Sequence, residues 1–80
     1  MTTPPLPLCD LKPGHQGTLL ALNGGRGLTA RLAALGFTPG VRIAMLQNYG
    51  HGPLLVEVRQ TRVALGRGEA QRILITEQQS

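Results

Sequence analysis

Tryptophan is absent from this chain, and aromatic residues are almost absent: Phe37 and Tyr49 stand alone in 80 residues. Proteins that read single-stranded nucleic acid stack bases on aromatic platforms, and two aromatics supply little platform. There is one cysteine, Cys9, so no internal disulfide can form and the fold asks for no oxidising compartment. Acidic residues number four, and they are scattered. No two share an expected helix or strand face, as paired acid–base catalysis would need. No apolar run exceeds five residues. A membrane-spanning helix needs about 20, so no span is expected. No charged start and apolar centre of a signal peptide opens the sequence. The expected compartment is therefore the cytoplasm. With 80 residues, one domain is expected and its core is thin.

What is present points to binding. Eight basic residues against four acidic give a net charge of +4, and seven of the eight are arginine. They are dispersed, with no basic run, so a solvated arginine-rich surface accounts for most of them. The functional alternative is an acidic partner. Gly24-Gly25-Arg26-Gly27 lacks the Gly-Lys-Ser/Thr ending of a phosphate loop and reads as a turn into a helix. Metal ligands would have to come from His15, His51 and Cys9, whose separations match no zinc spacing. They are weak candidates, for weak transition-metal binding at most, and no cofactor is expected. A nucleic-acid-binding small barrel stays open as an alternative, because small basic barrels often bind oligonucleotides.

The residues 1–7 form a proline-rich tail that can neither enter a helix nor pair as a central strand. Residues 8–14 read as a short turn. Alternation of apolar and polar residues marks strands at 16–22, 41–49, 54–59, 63–65 and 73–75. Leu28, Leu32 and Leu35 stand at helical spacing, followed by Gly36 at a left-handed C-cap position and Pro39-Gly40 as a stop. Residues 66–72 leave room for one helical turn. Gln60-Thr61 is placed in the tight loop of the last hairpin. The expected fold is mainly β: a small five-stranded barrel with one α-helix and one short helical turn, since a small sheet hides its edges best by closing. The expected core is Leu11, Leu19, Leu22, Leu28, Leu32, Leu35, Phe37, Val41, Ile43, Leu54, Val56, Val58, Val63, Leu65, Ala70, Ile73 and Ile75. Residues 77–80 read as a polar tail.

Four leucines fall on outward phases: Leu20, Leu46, Leu55 and Leu74. Single exposed leucines are ordinary. Four on one small barrel would mark a protein contact, with Arg42 and Arg59 as its polar rim.

The order Leu11-Lys-Pro-Gly14, then Arg31-Leu32-Ala-Ala-Leu35-Gly36-Phe37-Thr-Pro39-Gly40, resembles the ferrous iron transport protein A (FeoA) family. Gly52-Pro53-Leu54, Val63-Ala64-Leu65, Glu69-Ala70 and Ile73-Leu74-Ile75 extend the resemblance over residues 8–76. The resemblance implies an SH3-like barrel. It implies a bacterial, non-enzymatic accessory that regulates ferrous iron uptake by binding ferrous iron transport protein B, a membrane transporter with a cytosolic GTPase domain. It also implies a cytoplasmic location, peripheral to the inner membrane through that partner, and allows a homo-oligomer. No fixed ligand set carries over. Gly36 and Gly40 carry over as turn formers and Arg31 as the exposed helix residue. The chain departs from the family pattern at Gln60-Thr61, Gly66 and Leu55. The expected contact surface is Leu20, Arg31, Arg42, Leu46, Leu55, Arg59 and Leu74.

Overall fold

A computed structural model describes residues 4–77. Six strands form one antiparallel sheet: β1 (Leu6–Pro7), β2 (Gln16–Leu22), β3 (Arg42–Gln47), β4 (Leu54–Val58), β5 (Thr61–Leu65) and β6 (Ile73–Glu77). The spatial order is β1-β6-β2-β3-β4-β5. Two helices interrupt it, α1 (Arg26–Ala34) and the five-residue α2 (Arg67–Gln71), and a single 3₁₀ turn spans Leu8–Asp10.

This is one strand more than the five expected, and the sheet is not closed: β1 and β5 are its two ends. The extra strand comes from the proline-rich segment. Leu6 opposes Ile75 and Pro7 opposes Leu74 at the edge of the sheet, where a residue without an N–H is tolerated. The sheet thus begins at Leu6 rather than at Leu8. Glu77 is the last residue of β6 instead of the first of a tail. The remainder of both expected tails, residues 1–3 and 78–80, lies outside the described residues.

The alternation read from sequence is realised where it was strongest. β4 buries Leu54, Val56 and Val58 and turns Leu55 and Glu57 outward. β2 carries Gly17 and Leu19 inward. Gly17 sits where a Cβ would lie 2.6 Å from Ile75 Cδ1 and 3.1 Å from the Thr76 carbonyl oxygen. A side chain at this position would have to displace the tip of Ile75 and press on the β6 backbone. α1 ends where Gly36 takes φ +105°, the C-terminal cap anticipated from its position.

The core gathers Phe37, Leu11, Leu19, Leu32, Ile43, Ile73 and Ile75 with the inward residues of β4 and β5. It differs from expectation at both ends of the list. Leu8 and Met45 are buried, and neither was expected in the core. Leu35 was expected inside but is 44% exposed, because α1 stops at Ala34 and Leu35 follows as its C-cap. Leu22, Leu28 and Val41 pack against the core but are only partly buried.

Candidate functional site

The expected contact residues fall into three groups rather than one patch. The first lies on the outer face of β3 and β4. Gln47 opposes Leu55, and Leu55 opposes Ala64 of β5. Leu46 is the extra residue of a bulge between Met45 and Gln47. A bulge places two residues opposite one and re-aims the side chain. That keeps Leu46 partly exposed although the strand continues. Beside Leu55 an open groove of about 430 Å³ is lined by Tyr49, His51, Pro53 and Ala64. Tyr49 is 71% exposed.

The second group is polar and adjoins the first along the strands. Arg42, Ala44, Glu57, Arg59, Gln16 and Gln60 line a depression of about 240 Å³. Glu57 opposes both Ala44 on β3 and Arg62 on β5. Glu57 thus lines this depression with Arg42 and Arg59, and Arg62 is its cross-strand neighbour on β5. Arg59 is partly committed elsewhere: its Nη2 donates to Thr38 Oγ1 at 3.3 Å, and its side chain lies against Gly36.

The third group is Leu20 and Leu74. Leu20 occupies a second bulge, between Leu19 and Ala21, and Leu74 opposes Ala21 on one side and Pro7 on the other. Gln16 opposes Ala44 across an antiparallel pair. Leu20 lies four residues past Gln16 and Leu46 two past Ala44, in the opposite sense. The two apolar groups are therefore about 20 Å apart along the strands, at roughly 3.3 Å per residue. One contiguous leucine patch was expected, and the register rules it out.

Arg31 stands apart from all three. Its Nη2 donates to Glu69 Oε2, which joins α1 to α2. Glu69 Oε1 also accepts from the Gly66 N–H at 3.1 Å and so caps α2. The expected exposed helix arginine thus braces the two helices.

The metal candidates are not assembled. Among the described residues, no group of three or more His, Cys, Asp and Glu side chains could hold an ion. His15 Nδ1 meets Glu77 Oε2 at the end of the β2–β6 ladder. His51 sits in the β3–β4 loop. Cys9 packs against the core, and its Sγ donates to Asp10 Oδ1 at 3.8 Å. Burial, and then the Asp10 charge, push the thiol above its ordinary pKa, which works against a reactive thiolate.

Sequence reasoning missed Asn48. Its Nδ2 donates to the carbonyls of Cys9 and Leu11, both at 2.9 Å. Its Oδ1 accepts from Arg67 Nη2 at 2.7 Å and from the Gly50 N–H at 3.1 Å. One side chain thus ties the 3₁₀ turn, the end of β3 and α2 together. No periodicity marks such a residue, and only its place beside Tyr49-Gly50 hinted at a turn.

The profile of the FeoA domain matches residues 6–77. The chain belongs to the FeoA family. A Methanocaldococcus jannaschii protein named for Fe(2+) transport, transport protein A, is 28% identical over 69 residues, which cover 86% of this chain and 83% of that protein. The crystal structure of an iron uptake regulatory protein, FeoA, superposes with a TM-score of 0.89 at 31% identity, over 94% of this chain and 100% of that one. Stenotrophomonas maltophilia FeoA, crystallised with zinc and described as an SH3 domain protein, gives a TM-score of 0.79 at 28% identity, over 99% and 96% of the two chains. FeoA proteins are accessory proteins of ferrous iron transport, and the expected SH3-like architecture holds, with an open six-stranded sheet. No helix among the described residues is long and apolar enough to cross a membrane.

Proposed function

We propose that this FeoA-family chain is a non-enzymatic cytosolic regulator of bacterial ferrous iron uptake, acting by binding the cytosolic part of ferrous iron transport protein B. The observation that carries the reading is the match of nearly the whole chain to the FeoA domain. The outer face of β3 and β4 supplies the contact. Leu46, Leu55 and the groove beside Tyr49 form its apolar part, and Arg42 and Arg59 form its basic flank. Apolar anchors with a charged rim are the usual anatomy of such interfaces. Arg31 belongs to the α1–α2 brace, and Leu20 with Leu74 lies at the far end of the sheet, so neither is part of this contact.

Calorimetric titration against the isolated GTPase portion of the transporter, in each nucleotide state, tests the reading. Saturable binding is expected, weakened at least tenfold by Leu55→Glu and unchanged by Leu20→Glu. Equal affinity of wild type and Leu55→Glu removes the β3–β4 face. No binding to the GTPase portion or to the full transporter in detergent ends the proposal.

A further inference from the structure

The two edges of the sheet are built differently. β1 is two residues long and ends in Pro7, which has no N–H to offer. Short, proline-bearing edges are a common defence against recruiting another strand. At the other edge, β5 runs for five residues, Thr61–Leu65, without proline or glycine. β4 flanks it on one side, and no other element packs extensively along the free side among the described residues. Thr61, Arg62 and Ala64 are exposed.

The hairpin decides which backbone groups are left over. Arg59 has φ +51° and Gln60 φ +66°. Two positive φ values in a two-residue loop make a type I′ turn, closed by a hydrogen-bonded pair. Here that pair is Val58 with Thr61. Hydrogen-bonded and non-hydrogen-bonded pairs alternate along an antiparallel ladder. Val56–Val63 and Leu54–Leu65 are therefore hydrogen-bonded, and Arg62 and Ala64 occupy the pairs between them. The N–H and C=O groups of Arg62 and Ala64 point away from β4. Among the described residues, no turn, cap or loop bond takes them up.

We propose that β5 is a self-pairing edge, through which two copies of this chain join antiparallel about a two-fold axis at Val63. Arg62 pairs with Ala64 of the partner subunit, and Ala64 with Arg62 of the partner subunit, which makes four backbone hydrogen bonds. The neighbouring registers are worse. Sliding one way sets Arg62 against Arg62 of the partner subunit, and like charges directly opposite are destabilising. Sliding the other way draws Gly66 into the ladder, yet its N–H is held by Glu69 Oε1 at 3.1 Å. The joined sheet has twelve strands and ends in β1 on both sides. Pro7 stands at each of those ends, so the assembly closes at two copies and does not propagate. A single strand pair falls at the small end of protein interfaces. The dimer should therefore be weak and exchanging, populated between about 10 µM and about 1 mM. It engages the backbone of β5 and does not depend on the transporter contact.

Sedimentation velocity across that concentration range, with amide hydrogen exchange, tests the assembly. The wild type should shift from monomer to dimer, with the Arg62 and Ala64 amides slowing at high concentration. Ala64→Pro removes an outward donor and spares the ladder to β4, so it should stay folded and monomeric. Ala64→Arg should also weaken the dimer by facing Arg62 of the partner subunit. Adding Arg62→Glu to Ala64→Arg should restore the dimer through opposite charges. A wild type that stays monomeric at 1 mM overturns the proposal. So does a dimer in which these two amides exchange at unchanged rates, or one that the Ala64→Arg single variant forms as well as the wild type.

Discussion

At the scale of single residues, the side chains that organise this molecule are polar ones with several partners. Asn48 satisfies two carbonyls from the segment 9–11 and receives donors from Arg67 and Gly50. Removing a partner from a buried polar group costs its desolvation as well as its bond. Asn48→Ala should therefore lose about 2–4 kcal/mol, read as a fall in the denaturant midpoint at unchanged slope. Arg67 would be released as well; its Nε is already buried without a hydrogen-bond partner. The Arg31–Glu69 pair is different in kind, because Arg31 is 61% exposed, and an exposed pair contributes little. A sequence cannot announce such partners. The contacts of Asn48 reach 39 residues along the chain, and nothing local to position 48 records them. Apolar residues were legible where they repeat. Ile43 and Val56 follow the period of their strands, whereas Leu8 sits among prolines with no period to read.

At the scale of elements, alternation located β2 and β4 to the residue or nearly so, and Gly36 located the C-terminal end of α1, whereas its first turn takes in Arg26-Gly27, which the sequence pattern assigns to the preceding turn. What alternation cannot supply is the one-residue exception. The bulges at Leu20 and Leu46 break the period within strands that otherwise keep it. The short edge strand β1 hid inside a segment whose prolines argue against pairing in general, though not at an edge. The final hairpin shows the same limit. The loop was placed at Gln60-Thr61, but it is Arg59-Gln60, and both residues adopt positive φ. Left-handed backbone costs a non-glycine residue about 1–2 kcal/mol, and glycine gives back part of that as extra freedom in the unfolded chain. Gln60→Gly should thus stabilise the fold by about 0.5 kcal/mol. A rise in the chemical denaturation midpoint would show it. A fall would mean that the Gln60 side chain contributes more than its backbone costs. Arg59 is the poorer choice for this change, since it also bonds Thr38 and covers Gly36.

At the scale of the whole molecule, the net charge of +4 becomes informative only once the sheet gives it a place. Arg42 on β3 lines one depression with Glu57 and Arg59, and Arg62, three residues beyond Arg59 on the same hairpin, stands opposite Glu57. Spacing alone does not show that Arg42 joins the other two, because the register of β3 against β4 is what brings it there. The same face carries its apolar anchors further along the strands, at Leu46 and Leu55. These two halves should act on different steps of binding. Exposed charges steer the encounter and change association rates, while desolvated apolar anchors mainly set dissociation. In surface-based kinetics against the transporter's GTPase portion, Arg42→Glu should slow association severalfold and flatten its dependence on salt. Leu55→Glu should leave association nearly unchanged and speed dissociation at least tenfold. Interchanged effects would place Arg42 at the buried centre of the contact and Leu55 at its rim. Unchanged kinetics in both variants, with binding intact, would move the contact off this face and leave the groove beside Tyr49 without a role in it.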